Sequence, residues 1–297
     1  MHDLLRALRR TALLIAALAA SFPSFGLEAT DDRGVVVSVA AARPRIVALS
    51  PHLTEIAYSA GAGDNLVAVV RYSDYPEAAR RLPRVGDAAR FDTERILALA
   101  PDLVLAWQSG NPAHEIRRIE RLGIPVFVTE ARRLTDVPRL IRVVGMLAGR
   151  APSAEDAALA IERAFTELHA RYASRRAVRV FYQIWQRPLL TVNGAHLISD
   201  VIAMCGGRNV FANAPVLTPA VSVEAVLAAR PDIVLGGSSA SSAADLAAQW
   251  RAMPIASLRE LPARYIPPDL IQRQTPRIVH GARLVCEHLE AFRSLTR

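Results

Sequence analysis

Along this chain, short apolar runs alternate with segments in which apolar residues have helical spacing. Runs rich in β-branched residues predict strands at 46–49, 66–70, 103–106 and 126–129. Between them, apolar residues spaced three or four apart predict helices, for example at 53–60 and 93–100. Because strands and helices alternate, this region is expected to form an α/β layer with a parallel sheet.

A second α/β series follows a long helical stretch. Residues 135–173 have almost no strand character and predict helix, broken or capped near Ala151-Pro152-Ser153. Apolar runs at 178–184 and 233–235 then predict buried strands. We therefore expect an N-terminal lobe at 44–140, a connecting helix at 141–176 and a C-terminal lobe at 177–297.

The two lobes share sequence patterns in the same order. Residues 52–67 match residues 196–211 without a gap, and residues 94–105 match residues 224–235. A short helix, a Pro-Asp turn and an apolar strand are common in α/β proteins, so either match alone is weak. Together they predict two duplicated, Rossmann-like lobes.

The N-terminus has the three-part layout of a secretory signal peptide. Arg6, Arg9 and Arg10 precede an apolar stretch at 11–20, and small residues with Pro23 follow. The alternative is an amphipathic first helix, which the all-round apolar character disfavours. We expect a signal peptide at 1–26, exported by the general or the twin-arginine route, followed by a loop-like stretch. No cysteine lies near the cleavage region, which predicts a periplasmic protein without a lipid anchor.

Two cysteines, Cys205 and Cys286, are present. In an exported chain such a pair favours a disulfide over a metal site or a nucleophile. A bond between them would close a loop of about eighty residues and stabilise the fold by about 4 kcal/mol in the chain-entropy model.

The charge pattern does not indicate a nucleic-acid partner. The formal net charge is +8, but every basic side chain other than histidine is arginine, and the arginines are scattered. The sequence contains no Gly-rich phosphate loop, nucleophile elbow, His-Glu-x-x-His helix or Cys-x-x-Cys pair. These observations favour a binding protein over an enzyme.

Aromatic residues follow several predicted strands. Tyr72 and Tyr75 come after the strand ending near residue 70, Trp107 after the strand at 103–106, and Trp185 after 178–184. Any one of them could be a packing residue. In open α/β sheets, however, the carboxyl ends of strands border the ligand crevice. Four aromatic residues at such positions predict a cleft for a large, flat, partly apolar ligand.

Several segments in order resemble a known family. They are Arg45-Ile-Val-Ala-Leu-Ser-Pro, Tyr72-Ser-Asp-Tyr-Pro, Glu94-Arg-Ile-Leu-Ala-Leu-Ala-Pro-Asp-Leu-Val, Ala106-Trp-Gln-Ser-Gly-Asn, Met204-Cys-Gly-Gly-Arg-Asn-Val-Phe and Thr275-Pro-Arg-Ile. Together they resemble the periplasmic cobalamin-binding proteins of vitamin B12 ABC importers, over about residues 44–293. The resemblance implies the class III periplasmic binding protein fold, with two lobes joined by a long rigid helix.

The resemblance also implies a ligand and its contacts. Cobalamin or a related corrinoid is expected in the cleft, bound as cargo and not as a catalytic cofactor. Tyr72 and Trp107 are expected to contact it on one face, and the segment from Asp269 to Arg273 on the other. A Cys205 to Cys286 disulfide is implied as well.

The expected partner is a two-fold ABC permease with its ATPase, served by a monomeric binding protein. The resemblance implies that Glu94 and Glu224, at matching places in the two halves, dock to arginines of the two permease subunits. A plain helix-start glutamate is the alternative for each. His52 and His196 also match, and either could approach a metal in the cleft or be an ordinary polar residue near a helix start.

Two positions depart from the family pattern. Ala88 and Thr218 stand where the best-known member has tryptophans, so we expect a remodelled aromatic lining with Trp185 as compensation. A haem or ferric-siderophore receptor of the same superfamily is the alternative. It would be favoured if Arg273, Arg187 and Arg90 converged in the cleft.

Overall fold

The computed structural model describes residues 26–237 and 240–296. The expected signal peptide therefore lies outside the described residues, apart from Gly26. Among the described helices, none has the length and apolar character needed to cross a membrane.

The N-terminal lobe is built on a four-stranded parallel sheet. Its strands are β3 (Ile46–Ala48), β4 (Leu66–Val69), β5 (Leu103–Trp107) and β6 (Val126–Thr129), in the spatial order β4-β3-β5-β6. Its helices are α1 (Pro51–Ser59), α2 (Thr93–Ala98) and α3 (Ala113–Arg121), and the 3₁₀ turns are Gly63–Asn65 and Glu77–Arg81. Ser50 caps α1 by accepting a hydrogen bond from the backbone N–H of Leu53, and Pro51 begins the helix without needing a donor.

The C-terminal lobe repeats this plan. Its strands are β7 (Val178–Gln183), β8 (Gly207–Asn209), β9 (Ile233–Gly236) and β10 (Ala263–Tyr265), in the order β10-β9-β7-β8. Its helices are α6 (Leu197–Met204), α7 (Val223–Ala229), α8 (Ala243–Arg251), α9 (Ala256–Arg259), α10 (Pro268–Ile271) and α11 (Ile278–Leu295). Numbered within each lobe, both sheets have the strand order 2-1-3-4. The expected parallel α/β lobes are confirmed.

Two packed helices connect the lobes. They are α4 (Asp136–Leu147) and α5 (Ala151–Tyr172), with the break at residues 148–150, directly before the Ala151-Pro152-Ser153 signal. Gly145 allows close packing, because a Cβ there would lie 2.2 Å from that of Ala154. Arg142 bridges the pair through Glu155 at 2.7 Å and Glu162 at 2.5 Å. These contacts make the 22-residue helix α5 a rigid connection.

A hairpin precedes the first lobe, where the sequence analysis expected a loop. Its strands are β1 (Leu27–Thr30) and β2 (Val36–Val39), which pair antiparallel. Asp31 accepts hydrogen bonds from the N–H groups of Arg33 and Val35, and Gly34 supplies a positive φ of 84°. The backbone N–H of Val128 at the sheet edge also donates to Asp31. The turn signal was present, but four-residue strands with half-exposed faces give little periodicity.

The predicted disulfide lies in the interior of the C-terminal lobe. Cys205 and Cys286 are bonded, with their Cα atoms 4.7 Å apart and both residues fully buried. The bond joins the end of α6 to the middle of α11. It thereby fixes the last helix to the second lobe.

Candidate functional site

A cavity of about 360 Å³ lies between the lobes, at the carboxyl ends of the parallel strands. Trp107, Ser109 and residues 130–132 line it from the N-terminal lobe. From the C-terminal lobe it is lined by Ile184, His196, Leu197, Ile198, Leu217, Thr218, Gln272 and Gln274. This is the position at which open α/β sheets bind ligands.

Trp107 is held at the end of β5 by its own loop. Its backbone N–H donates to Asn111 Oδ1 at 2.6 Å, and Asn111 Nδ2 donates to the carbonyls of Leu49 and Ala88. Gly110 passes directly beside the indole, since a Cβ there would lie 1.8 Å from Trp107 Cε3. The motif Trp-Gln-Ser-Gly-Asn therefore fixes the indole in the cleft wall. Its glycine is required because a side chain there would collide with the indole.

His52 packs edge-on against Trp107. The two ring centroids are 5.1 Å apart at an interplanar angle of 87°, and Ser50 Oγ lies 2.9 Å from His52 Nδ1. Burial, together with the nearby charge of Arg273, lowers the pKa of His52 to about 3. The imidazole is therefore neutral and supports the tryptophan.

His196 lines the cavity but also caps α6. Its Nδ1 accepts a hydrogen bond from the N–H of Ile198 at 3.2 Å, and burial lowers its pKa to about 4. With Nδ1 accepting in the neutral ring, the proton sits on Nε2. His196 therefore has a hydrogen-bond donor at Nε2. Binding a metal through Nε2 would move the proton to Nδ1, which could then no longer accept the capping hydrogen bond from Ile198.

A network of charges joins the lobes beside the cleft. Glu55 on α1 is buried and accepts two hydrogen bonds from Arg277, at 2.6 Å and 2.8 Å. Arg273 lies 3.5 Å from Glu55, 3.4 Å from Asp74 and 3.0 Å from Asp269. The segment from Asp269 to Arg273 therefore faces the loop that carries Tyr72 and Tyr75.

The two tyrosines of that loop have different surroundings. Tyr72 is 72% exposed and is held outward by a left-handed backbone conformation, with φ of 64°. The Tyr75 ring lies 4.3 Å from the Arg277 guanidinium carbon, in a cation–π contact. Tyr72 is thus open to solvent at the rim, whereas Tyr75 is part of the junction between lobes.

Trp185 lies in a neighbouring depression of the C-terminal lobe. This open depression of about 940 Å³ is lined by Trp185, Gln186, Arg187, Ala240, Ser241, Asp245, Ala248 and Gln249. Because Ile184 lines the interlobe cavity and Trp185 the depression, the two are adjacent. Trp185 is 46% exposed, and its indole N–H donates to the carbonyl of Arg187.

Comparison with known proteins gives the family. The model of the periplasmic binding protein family matches residues 46–257. The chain belongs to this family. The vitamin B12-binding protein of Vibrio parahaemolyticus is 37% identical to it over 249 residues, covering 84% of this chain and 90% of the relative.

Solved structures of periplasmic binding proteins share the fold. The vitamin B12-binding protein BtuF of Vibrio cholerae matches with a TM-score of 0.75 and 33% identity, covering 84% of this chain and 98% of that one. The haem-binding protein RhuT of Roseiflexus matches with a TM-score of 0.69 at 24% identity, covering 86% and 100%, which indicates the fold alone. The resemblance drawn from the motifs is confirmed. The comparisons also confirm a binding protein rather than an enzyme.

The two departures from the family pattern both lie at the site of this periplasmic binding protein. Thr218 lines the cavity, and the carbonyl of Ala88 accepts from the asparagine that orients Trp107. Neither position supplies an aromatic ring to the site. Arg273 is paired with three carboxylates, so it is not available as an unpaired cation for an anionic ligand.

Sequence reasoning missed the residues that join the lobes. Glu55 and Arg277 carry the closest interlobe ion pair beside the cleft, and Arg133 pairs with Asp200 at 3.0 Å on another part of the junction. Two of them left a signal: Glu55 is a carboxylate within the apolar helix pattern at 53–60, and Arg277 belongs to the motif Thr275-Pro-Arg-Ile. Gln272 belongs to the predicted segment from Asp269 to Arg273 and Gln274 follows it directly, but neither was singled out.

Proposed function

We propose that this protein is the substrate-binding protein of an ABC importer. In the periplasm it captures cobalamin or a related corrinoid between its lobes and delivers it to a membrane permease. The observation that carries the proposal is the interlobe cleft with Trp107 at its wall, in a chain 37% identical to a vitamin B12-binding protein over 84% of its length. The corrinoid would be cargo and no bond would be made or broken.

We assign ligand contacts to the aromatic and charged residues around the cleft: Tyr72, Tyr75, Trp107, Trp185, Asp269 and Arg273. Trp107 offers an apolar ring in the cavity wall, on a backbone held by Asn111. Tyr72 at the rim can close over a bound ligand, which would remove from water apolar ring surface that is exposed in the free protein. Amide donors and acceptors at Gln272 and Gln274 suit a ligand rich in amide side chains.

Titration with cyanocobalamin tests this function. We expect one site per chain by calorimetry, and a loss of about 1 to 3 kcal/mol in binding free energy for Tyr72→Ala and for Trp107→Ala. Absence of binding would refute the proposal. Unchanged affinity in both variants would place the ligand elsewhere.

A haem receptor is the competing function within the same fold. Haem carries two carboxylates, which need unpaired cations near the cleft. Arg273 already has three acidic neighbours, and Arg132 in the cavity lining lies 3.8 Å from Glu130, so both arginines have carboxylate partners, which disfavours haem. The absorption spectrum of the purified protein separates the two functions. A corrin spectrum supports the proposal, and a Soret band contradicts it.

Glu94 and Glu224 are proposed to dock the protein to the two permease subunits. Both side chains are exposed in the first turn of a short helix that precedes the third strand of its sheet.

Replacing both glutamates with alanine should leave cyanocobalamin affinity within a few tenths of a kcal/mol. Transport in proteoliposomes should fall sharply, and the Arg variants should do worse. The exposed pair Glu77→Ala and Glu167→Ala is the matched control. Normal transport by E94A/E224A would contradict the docking role.

A further inference from the structure

Helices α2 and α7 are equivalent in their individual contacts as well as in sequence. Asp92 caps α2 by accepting from the N–H of Arg95 at 2.9 Å, and Ser222 caps α7 by accepting from the N–H of Ala225 at 3.1 Å. Shortly after each helix, one residue has a left-handed conformation, with φ of 42° at Ala100 and 45° at Arg230.

An arginine from the central strand region of each sheet holds the end of its helix. Arg45 donates from Nε and Nη2 to the carbonyl of Leu99, at 3.1 Å and 2.9 Å. Arg179 donates to the carbonyls of Arg230 and Ala229, at 2.8 Å and 2.5 Å. The same clamp therefore fixes both helices to their sheets, so their outer faces are rigid surfaces.

Each helix exposes a large apolar side chain next to its glutamate. Leu97 is 47% exposed and Leu227 is 39% exposed. Each follows its glutamate, Glu94 or Glu224, by three positions, so the two side chains share one face of the helix. The intervening Ile96 and Val226 are fully buried.

We propose that the docking surface of each lobe is this carboxylate–leucine pair, Glu94 with Leu97 and Glu224 with Leu227. The partner is a two-subunit membrane protein in which each subunit presents a cationic side chain beside an apolar depression. This inference rests on the proposed transport function and names the chemistry of its docking step. Two equivalent surfaces on one chain fit two equivalent subunits, whereas a single asymmetric partner would need only one.

Charge alone is a weak contact at such a surface. An exposed ion pair contributes little and is screened by salt. Burying a leucine that is half exposed in the free protein adds a contact that salt does not screen. The leucines therefore account for binding that persists at physiological ionic strength, while the carboxylates set orientation.

The test compares three double variants in proteoliposomes in which the wild-type protein drives cyanocobalamin uptake through a permease with its ATPase. L97A/L227A should bind the permease about tenfold more weakly, with unchanged affinity for cyanocobalamin. L122A/L159A is the matched control, because these leucines are 46% and 38% exposed without an equivalent in the other lobe, and it should behave as wild type. At about 0.5 M salt the defect of L97A/L227A should persist, whereas that of E94A/E224A should shrink.

Equal permease affinity for L97A/L227A and its control would overturn the inference and leave the transport function intact. A wild-type protein that binds no cyanocobalamin would instead refute the proposed function. Sedimentation gives a further arm. If the free wild-type protein is a dimer and L97A/L227A is a monomer, the leucines cover a second copy of this chain and the inference is wrong.

Discussion

Glu55 and Arg277 lie 222 positions apart in the sequence, yet both carboxylate oxygens of Glu55 accept hydrogen bonds from the Arg277 guanidinium, at 2.6 Å and 2.8 Å. One residue belongs to the first helix of the N-terminal lobe, and the other directly precedes the last described helix. The pair ties the lobes together at the edge of the cleft. It therefore limits how far they can separate.

Removing the buried carboxylate should destabilise the protein strongly. Glu55→Ala leaves Arg277 and Arg273 without a shared partner, and we expect a loss of about 3 to 5 kcal/mol in the free energy of unfolding. Chemical denaturation followed by circular dichroism measures it. Glu77→Ala, at an exposed position, should change stability by less than about 0.5 kcal/mol. A similarly small loss for Glu55→Ala would mean that the interlobe ion pair makes no net contribution to the free energy of unfolding.

Gly110→Ala should weaken cyanocobalamin binding by displacing Trp107, although it removes no ligand contact. The new Cβ would lie 1.8 Å from Cε3 and 2.1 Å from Cζ3 of the indole, so the ring must move. We expect a loss of about 1 to 3 kcal/mol in binding, within the range for a displaced aromatic anchor. In a Trp107→Ala background the same substitution should have almost no effect. An equal loss in both backgrounds would show that Gly110 acts independently of Trp107.

Stability should fall between pH 7 and pH 5 because His52 is buried in its neutral form. Its folded pKa of about 3 lies below the unfolded value, so over this range the unfolded state binds more protons. The contribution of His52 is full above about pH 6.5 and is lost as the pH falls toward 3; we expect about 2 kcal/mol of loss by pH 5.

The histidine prediction is checked by comparing pH slopes of the free energy of unfolding. His52→Asn should have a shallower slope than wild type. Identical slopes for wild type and His52→Asn would contradict a neutral buried His52.

Loss of the disulfide should cost about 4 kcal/mol of stability, since the bond closes a loop of 81 residues. The double variant C205A/C286A removes it without leaving a free thiol, and denaturant titration measures the change. In exported wild-type protein, no thiol should titrate after unfolding without reductant. Two reactive thiols in that assay would disprove the bond.

Local patterns in the sequence determined the α/β lobes, the connecting helices and the duplication. Strand and helix periodicity depend on neighbouring residues, and so do the caps at Asp92 and Ser222 and the strand-end position of Trp107. The motif order was also enough to identify the family. The elements, caps and strand ends could be predicted because each is set within about fifteen residues of chain, and the duplication and the family followed from comparing such local motifs along the sequence.

The partners across the cleft were decided only by the tertiary structure. Nothing local to Glu55 specifies Arg277, and nothing local to Arg133 specifies Asp200, because each pair forms only when two separately folded lobes are held at one angle by the connecting helices. The same holds for Tyr75, which the sequence placed at a strand exit and the structure places against Arg277. Periodicity reports which face of an element is buried, whereas contacts between lobes depend on their rigid-body arrangement, and that arrangement has no local sequence signature.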